Sequence, residues 1–178
     1  MIDAILKGRQ KKRFAVLFGS QSDFLFELAS KIADILYWKE NWGEPSDEVF
    51  FDILRQELSV PNWVLDGNYN RTVPIKWEAV DTVVWVDYGF FRTFYQATKR
   101  ALRRCFLQQE LWVGTGNKES FRGTFLSRKS VLLWTLKTFK SNRLRYETMM
   151  AAPEYQQIHF VRLTHPKMAQ NFIKKYQR

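Results

Sequence analysis

Four short apolar runs, separated by segments with helical spacing, constrain the fold of this chain most strongly. The runs cover residues 14–18, 62–66, 82–87 and 158–163. Each is mainly apolar and has the length of a buried strand, although the last contains His159 and Arg162. Strands that alternate with helices form a largely parallel sheet with helices on both faces. The sequence therefore predicts the α/β class, with a three-layer parallel sheet of about four strands flanked by helices.

The segments between these runs carry apolar residues at helical spacing. The spacing predicts helices over residues 23–35 and 90–107, and one long helix or two broken ones over 127–150. Ser46, followed by two acidic residues, is a good helix start, and Pro166 at a first helical turn opens the last helix. The residues predicted to be buried in the helix after Ser46 are Val49, Phe50, Ile53, Leu54 and Leu58.

Length and composition indicate one globular domain, residues 1–178. The chain has 178 residues, of which 46% are hydrophobic, enough for a sizeable core. One Cys and two His argue against a zinc site and an internal disulfide. No apolar run approaches the roughly 20 residues that span a bilayer, and residues 7–13 are too basic for the apolar part of a signal peptide. We therefore expect a cytoplasmic protein with no membrane partner.

An excess of positive charge predicts a polyanionic partner. Lys and Arg number 28 against 18 Asp and Glu, which gives a net charge of +10. The basic residues crowd between about residues 99 and 145, which we expect to form a helical lid region. Nucleotides, small phosphorylated substrates and nucleic acid all fit such a charge, and a merely soluble basic protein is the alternative.

Charged residues stand directly after two of the predicted strands. Asp66 ends the second run, Gly67 turns the chain, Arg71 follows five residues after Asp66, and Asp87 ends the third run. Sheets of this class bind ligands beyond the carboxyl ends of their strands. A carboxylate there can hold a metal-bound water, and an arginine can grip a phosphate. The alternatives are a plain turn with Arg71 in a surface salt bridge, and an aspartate at 87 that only caps the next helix.

Gly19, Ser20 and Ser22 follow the first strand and precede a predicted helix, which is the layout of a phosphate-binding loop. In its strong form, G-x-x-x-x-G-K-[ST], backbone N–H groups cradle the phosphates and the lysine reaches the outer ones. This chain lacks the second glycine, the lysine and the Ser/Thr at that spacing. An ordinary turn between strand and helix is the alternative.

Two further groups could contact a nucleotide. Arg100 and Arg104 are four residues apart and share a helix face, where they could clamp a transferring phosphoryl group or simply be solvated. Trp38 belongs to an aromatic-rich stretch, residues 36–42, that could stack on a base or serve simple packing.

Three stretches carry a resemblance to a known family: residues 34–42 (DILYWKENW), 63–72 (WVLDGNYNRT) and 79–87 (AVDTVVWVD). Together they resemble the adenylate-kinase-related P-loop proteins, whose bacterial members are often labelled DNA topology modulation proteins or topology-modulation kinases. The resemblance covers about residues 34–165. Its most specific element, Asp-Gly-Asn-Tyr-Asn-Arg-Thr, looks like the Asp-Gly-Phe-Pro-Arg element of adenylate kinases.

This resemblance implies a nucleoside monophosphate kinase-like fold that uses ATP and Mg²⁺. It implies that Asp66 lies near Mg²⁺, with Asp87 as a second carboxylate acting through water, and that Arg71 binds the acceptor phosphate. The lid arginines and the substrate-region residues that it implies are Arg100, Arg122, Arg128, Asp34, Trp38 and Tyr69.

Two functions remain open at this stage. The first is an ATP-dependent kinase that phosphorylates a small nucleoside- or nucleotide-type acceptor. The second is a pseudokinase that binds nucleotide or nucleic acid through its basic lid face without turnover, which the missing Walker A lysine favours. A third reading is an error in the N-terminal sequence of a working kinase.

Overall fold

The structure, a computed structural model, describes residues 12–18, 31–32, 36–67, 69–108, 110–111, 115–127 and 130–176. These residues form a five-stranded sheet in which every paired strand is parallel to its neighbour. The strand order is β2-β3-β1-β4-β5. The strands are β1 (Lys12–Phe18), β2 (Lys31–Ile32), β3 (Asn62–Asp66), β4 (Thr82–Val86) and β5 (His159–Leu163). A parallel α/β sheet is therefore confirmed.

The predicted number of about four strands is corrected by the edge strand β2. This strand has two residues and pairs with the end of β3, Lys31 opposite Leu65 and Ile32 opposite Asp66. We assigned residues 31 and 32 to a helix over 23–35, because the apolar residues there recur at helical spacing. Two residues are too few to show the alternation by which a strand is recognised.

Five α-helices of six or more residues lie among the described residues: α1 (Asp47–Glu57), α2 (Val73–Glu78), α3 (Phe90–Leu107), α4 (Val131–Ala151) and α5 (Pro166–Tyr176). Ser46 caps α1 as expected, since its side chain accepts a hydrogen bond from the Val49 N–H. The helix predicted over 127–150 begins at Val131 instead, after a π-helical turn at Arg122–Leu126. Val49 was wrongly placed in the core of α1, because 47% of it is exposed.

The sheet is buried on both faces, as parallel sheets are. On one face, Phe14, Val16 and Val84 pack in one cluster with Ile173 of α5. On the other face, Trp63, Trp85 and their neighbours pack with residues of α1, α2 and α4. Successive residues of a strand point to opposite faces, and here both sets of side chains are mainly apolar. The buried aspartates Asp66 and Asp87 stand where β3 and β4 end.

Among the described elements, helix α3 makes its main contact with α4. Its buried positions are the small residues Thr93, Ala97, Ala101 and Cys105, each four residues from the next. The ring of Phe90 lies 5.3 Å from that of Phe139 on α4. Its opposite face is therefore left to solvent. In the part of the chain that the structure describes, no helix has the length and apolar character of a membrane span.

Candidate functional site

The strand order reverses at β1, which places a crevice at the carboxyl ends of β3, β1 and β4. After β1 the chain continues to β2, on one side of β1 in the sheet, and after β4 it continues to β5, on the other side. Sheets of this kind bind ligands where the connections diverge. The register sets Asp66 opposite Val16, and Val16 opposite Val84. Asp66 therefore lies at the carboxyl edge of the sheet, where its side chain is buried.

A lysine that we did not select from the sequence lies beside Asp66. Lys76, on α2, is only 1% exposed, and its Nζ donates a 2.9 Å hydrogen bond to the backbone oxygen of Gly67. The Asp66 carboxylate, itself 2% exposed, interacts electrostatically with this ammonium. The only sequence signal was a lone cation between Ile75 and Trp77, and such a position is rarely buried.

The surroundings of Lys76 lower the pKa of its side chain. Burial lowers the pKa of Lys76 from 10.5 to about 7, Asp66 opposes the lowering, and Arg145 of α4 adds to it. A fully buried ammonium is costly unless a counter-charge and hydrogen bonds are provided. Asp66 and the Gly67 oxygen provide both. Strongly shifted pKa values of this kind are concentrated at functional sites.

Arg71, five residues after Asp66, lies in an aromatic cluster. Its guanidinium carbon is 4.9 Å from the centroid of the Tyr37 ring, and Nη1 is 2.7 Å from the Asp47 carboxylate. The rings of Trp38 and Tyr69 both lie 5.0 Å from that of Tyr37. Three residues of the predicted acceptor side, Arg71, Trp38 and Tyr69, are thus brought together. The alternative role for Arg71, a surface salt bridge, also fits, because its ion pair with Asp47 is partly exposed.

Asp87 belongs to a separate ionic network at the ends of β4 and β5. Its carboxylate is 4% exposed and accepts a 2.8 Å hydrogen bond from Nε of Arg162, while Nη2 of Arg143 lies 3.2 Å away. Glu147 accepts a further 2.8 Å hydrogen bond from Arg162. The cap of α3 is Gly89, so Asp87 does not cap the next helix.

These positions test how well the two aspartates fit a shared Mg²⁺ ion. The register puts Asp87 three residues past the row of Asp66 and two strands away, so ideal strand spacing separates their Cα atoms by roughly 14 Å. That separation is too large for both carboxylates to coordinate one ion directly. Asp66 fits the holding of a metal-bound water. For Asp87 the arginine contacts are made to Oδ2, so the same role would have to use Oδ1 beside two guanidinium groups. No cluster of three or more His, Cys, Asp or Glu suited to a metal occurs among the described residues.

The predicted lid residues are held in different ways. Arg104 pairs with Glu119 at 3.1 Å, Arg100 is half-buried on α3, and Arg122 is exposed at the start of the π-helical turn. Asn117 ties this region to residues 39–42, because its side chain accepts from the Trp42 N–H and donates to the Lys39 oxygen, both at 2.9 Å. The predicted residues Gly19, Ser20, Ser22, Asp34 and Arg128 lie outside the described residues.

No protein-family model matches this chain, and no curated protein matches it significantly. The family expectation therefore remains a prediction that rests on the motifs in residues 34–87.

Proposed function

We propose that this chain is a P-loop kinase-like protein that transfers a phosphoryl group from ATP to a small nucleoside- or nucleotide-type acceptor. The observation that supports it best is that buried Asp66 interacts electrostatically with buried Lys76 at the end of β3, while Arg71, five residues after Asp66, lies against the Tyr37 ring. Phosphoryl transfer needs mainly positioning and charge stabilisation, and these groups can supply both.

Arg71 is the acceptor-binding residue in this proposal. The face of its guanidinium packs on Tyr37, and its Nη1 already holds one carboxylate, Asp47. An acceptor phosphate can replace that carboxylate without leaving the arginine unpaired, because both are anions that fit the guanidinium fork. The partly exposed rings of Trp38 and Tyr69 offer surfaces for a flat acceptor such as a nucleobase, whereas Tyr37 is only 4% exposed and packs against Arg71.

Asp66 and Lys76 form the donor-facing half of the proposed centre. Bound ATP–Mg²⁺ would supply the phosphoryl group and neutralise part of the phosphate charge. Asp66 would orient a water of the metal shell, and Lys76 holds the Gly67 carbonyl. Because the pKa of Lys76 is lowered to about 7, we expect the negative charge of bound phosphates to favour its charged form, in a chain that lacks the lysine of a full phosphate loop.

Turnover is tested by measuring ADP release from ATP–Mg²⁺ over a panel of nucleosides and nucleoside monophosphates. We expect release with at least one acceptor, and a decrease of about 100-fold or more in kcat for Asp66→Asn, because a charged group at the reacting centre is lost. The matched control is Asp52→Asn, an exposed aspartate on α1 with the same charge change. ATP binding without ADP release for any acceptor would favour the pseudokinase instead.

Arg71→Gln is expected to raise the KM for a phosphorylated acceptor about 10-fold or more, since one charge-assisted hydrogen bond contributes roughly 1.5–3 kcal/mol. The KM for ATP should change little. The control is Arg55→Gln, because Arg55 also pairs with an aspartate of α1, at 2.9 Å, but lies outside the aromatic cluster. Equal effects of the two variants in steady-state kinetics would remove Arg71 from the acceptor site.

A further inference from the structure

Helix α3 presents an unusual solvent face that the proposed phosphoryl transfer does not use. Phe91, Tyr95 and Phe106 are 87%, 66% and 80% exposed. Arg92, Lys99 and Arg103 are exposed on the same helix, which contains no Asp or Glu. We call these six residues the aromatic–basic face: Phe91, Arg92, Tyr95, Lys99, Arg103 and Phe106.

The geometry of the helix places these side chains in two adjacent stripes. At about 100° per residue, the three rings fall within an arc of about 60°, and the three cations fall within the next 60° or so. The face extends about 22 Å along the helix axis from Phe91 to Phe106. Among the described residues, no carboxylate pairs with Lys99 or Arg103. Within the part of the chain that the structure describes, Lys99 and Arg103 are therefore available to an external anion.

Nothing in the fold requires these rings to be exposed. The side of α3 that packs on α4 is built from small residues, and Phe90 already fills the contact with Phe139. Large aromatic side chains so fully in water usually mark a surface that binds something. A row of rings beside a row of cations complements a chain whose flat groups and negative charges run side by side.

We propose that the aromatic–basic face binds single-stranded nucleic acid, with unpaired bases stacked on the rings and phosphates along the cations. Stacking on aromatic side chains in a basic groove is the general mode of sequence-tolerant single-strand binding. A duplex offers its phosphates but keeps its bases stacked on one another, so the three rings would gain nothing from it. A membrane surface fits less well, because it needs a continuous apolar strip, whereas these rings are separated by about 6 and 16 Å along the axis.

The test is fluorescence anisotropy with a labelled single-stranded oligonucleotide of about 12 nucleotides, longer than the site of one small domain. We expect Phe91→Ala and Phe106→Ala each to weaken binding by about fivefold or more, because stacking on one ring contributes that much per base. The control is Leu144→Ala, an apolar residue of α4 that is 66% exposed, and it should leave the affinity unchanged.

The cationic stripe is tested by the salt dependence of the same affinity. The double variant Lys99→Gln with Arg103→Gln should reduce the slope of log K against log salt by about 1.4, that is about 0.7 per lost phosphate contact on a single strand. The control pair, Lys167→Gln with Lys174→Gln, changes the same charge on α5 and should keep the original slope. These exposed positions leave the packed cores unaltered, and urea unfolding of each variant checks that directly.

Three results would overturn this assignment. The first is equal affinity of the wild type and the ring variants for the single strand. The second is equal affinity for a duplex of the same length, which would leave the rings without a role. The third is that the protein does not bind the single strand but binds anionic phospholipid vesicles or self-associates in sedimentation, and that the ring substitutions abolish this other interaction.

Discussion

Lys76→Met is expected to remove most of the pH dependence of stability between about pH 7 and 9. The pKa of Lys76 is about 7 in the folded protein, because the group is buried, against 10.5 for a solvated lysine. Between these values the unfolded chain binds one proton more than the folded chain, so the free energy of unfolding rises with pH. The rise due to Lys76 is roughly 2 to 3 kcal/mol from pH 7 to pH 9, at most about 1.4 kcal/mol per pH unit.

Urea unfolding at several pH values measures this slope. Methionine has a similar length and no titrating group, so the variant should show a nearly flat profile in this window. Above about pH 9 the buried tyrosines act in the opposite direction, because burial raises the pKa of Tyr37, Tyr88 and Tyr146. The control is Lys140→Met, an exposed lysine of α4, which should keep the wild-type slope. Identical slopes for the wild type and Lys76→Met would show that folding does not lower the pKa of Lys76.

Asp87→Asn should lower the free energy of unfolding by about 2 to 3 kcal/mol. The carboxylate is almost fully buried and compensates Arg162 and Arg143, and removing one partner leaves the other charges poorly paired. We expect a free-energy loss near the lower end of the range for broken buried ion pairs, because both arginines are partly exposed to water. Glu147 still contacts Arg162 in the variant and limits the loss further.

The comparison variant is Asp52→Asn, whose ion pair with Arg55 is exposed and should contribute less than about 1 kcal/mol. A double-mutant cycle of Asp87→Asn with Arg162→Gln should give a coupling energy of about 1 kcal/mol or more. A coupling energy near zero would mean that the 2.8 Å contact between Asp87 and Arg162 does not stabilise the fold.

Strand-end aspartates could be located from the sequence because they follow apolar runs, and the structure places Asp66 and Asp87 at the ends of β3 and immediately after β4. Their partners could not be found in this way. Arg162 is 75 residues from Asp87, and only the pairing of β4 with β5 brings the two together. Lys76 was missed for a related reason, since the burial of a lysine depends on the packing around it and not on its neighbours in the chain.

The roles of the aromatic residues, too, could be predicted from the sequence only in part. The stretch 36–42 was identified as a candidate surface for a base, and the structure packs one of its rings, Tyr37, against Arg71, which lies much later in the chain. Helix α3 was predicted with its correct bounds, Phe90–Leu107, from its periodicity. Its exposed rings were not anticipated, because the spacing shows which residues share a face but not which face finds a packing partner.

If the carboxyl ends of β3, β1 and β4 bind the phosphates of a nucleotide, calorimetric titration of the protein with ATP–Mg²⁺ should show saturable binding. We expect the affinity to be weakened about 10-fold or more by Asp66→Asn and left unchanged by Asp52→Asn. Absence of binding up to millimolar ATP–Mg²⁺, or equal affinity in the two variants, would contradict it.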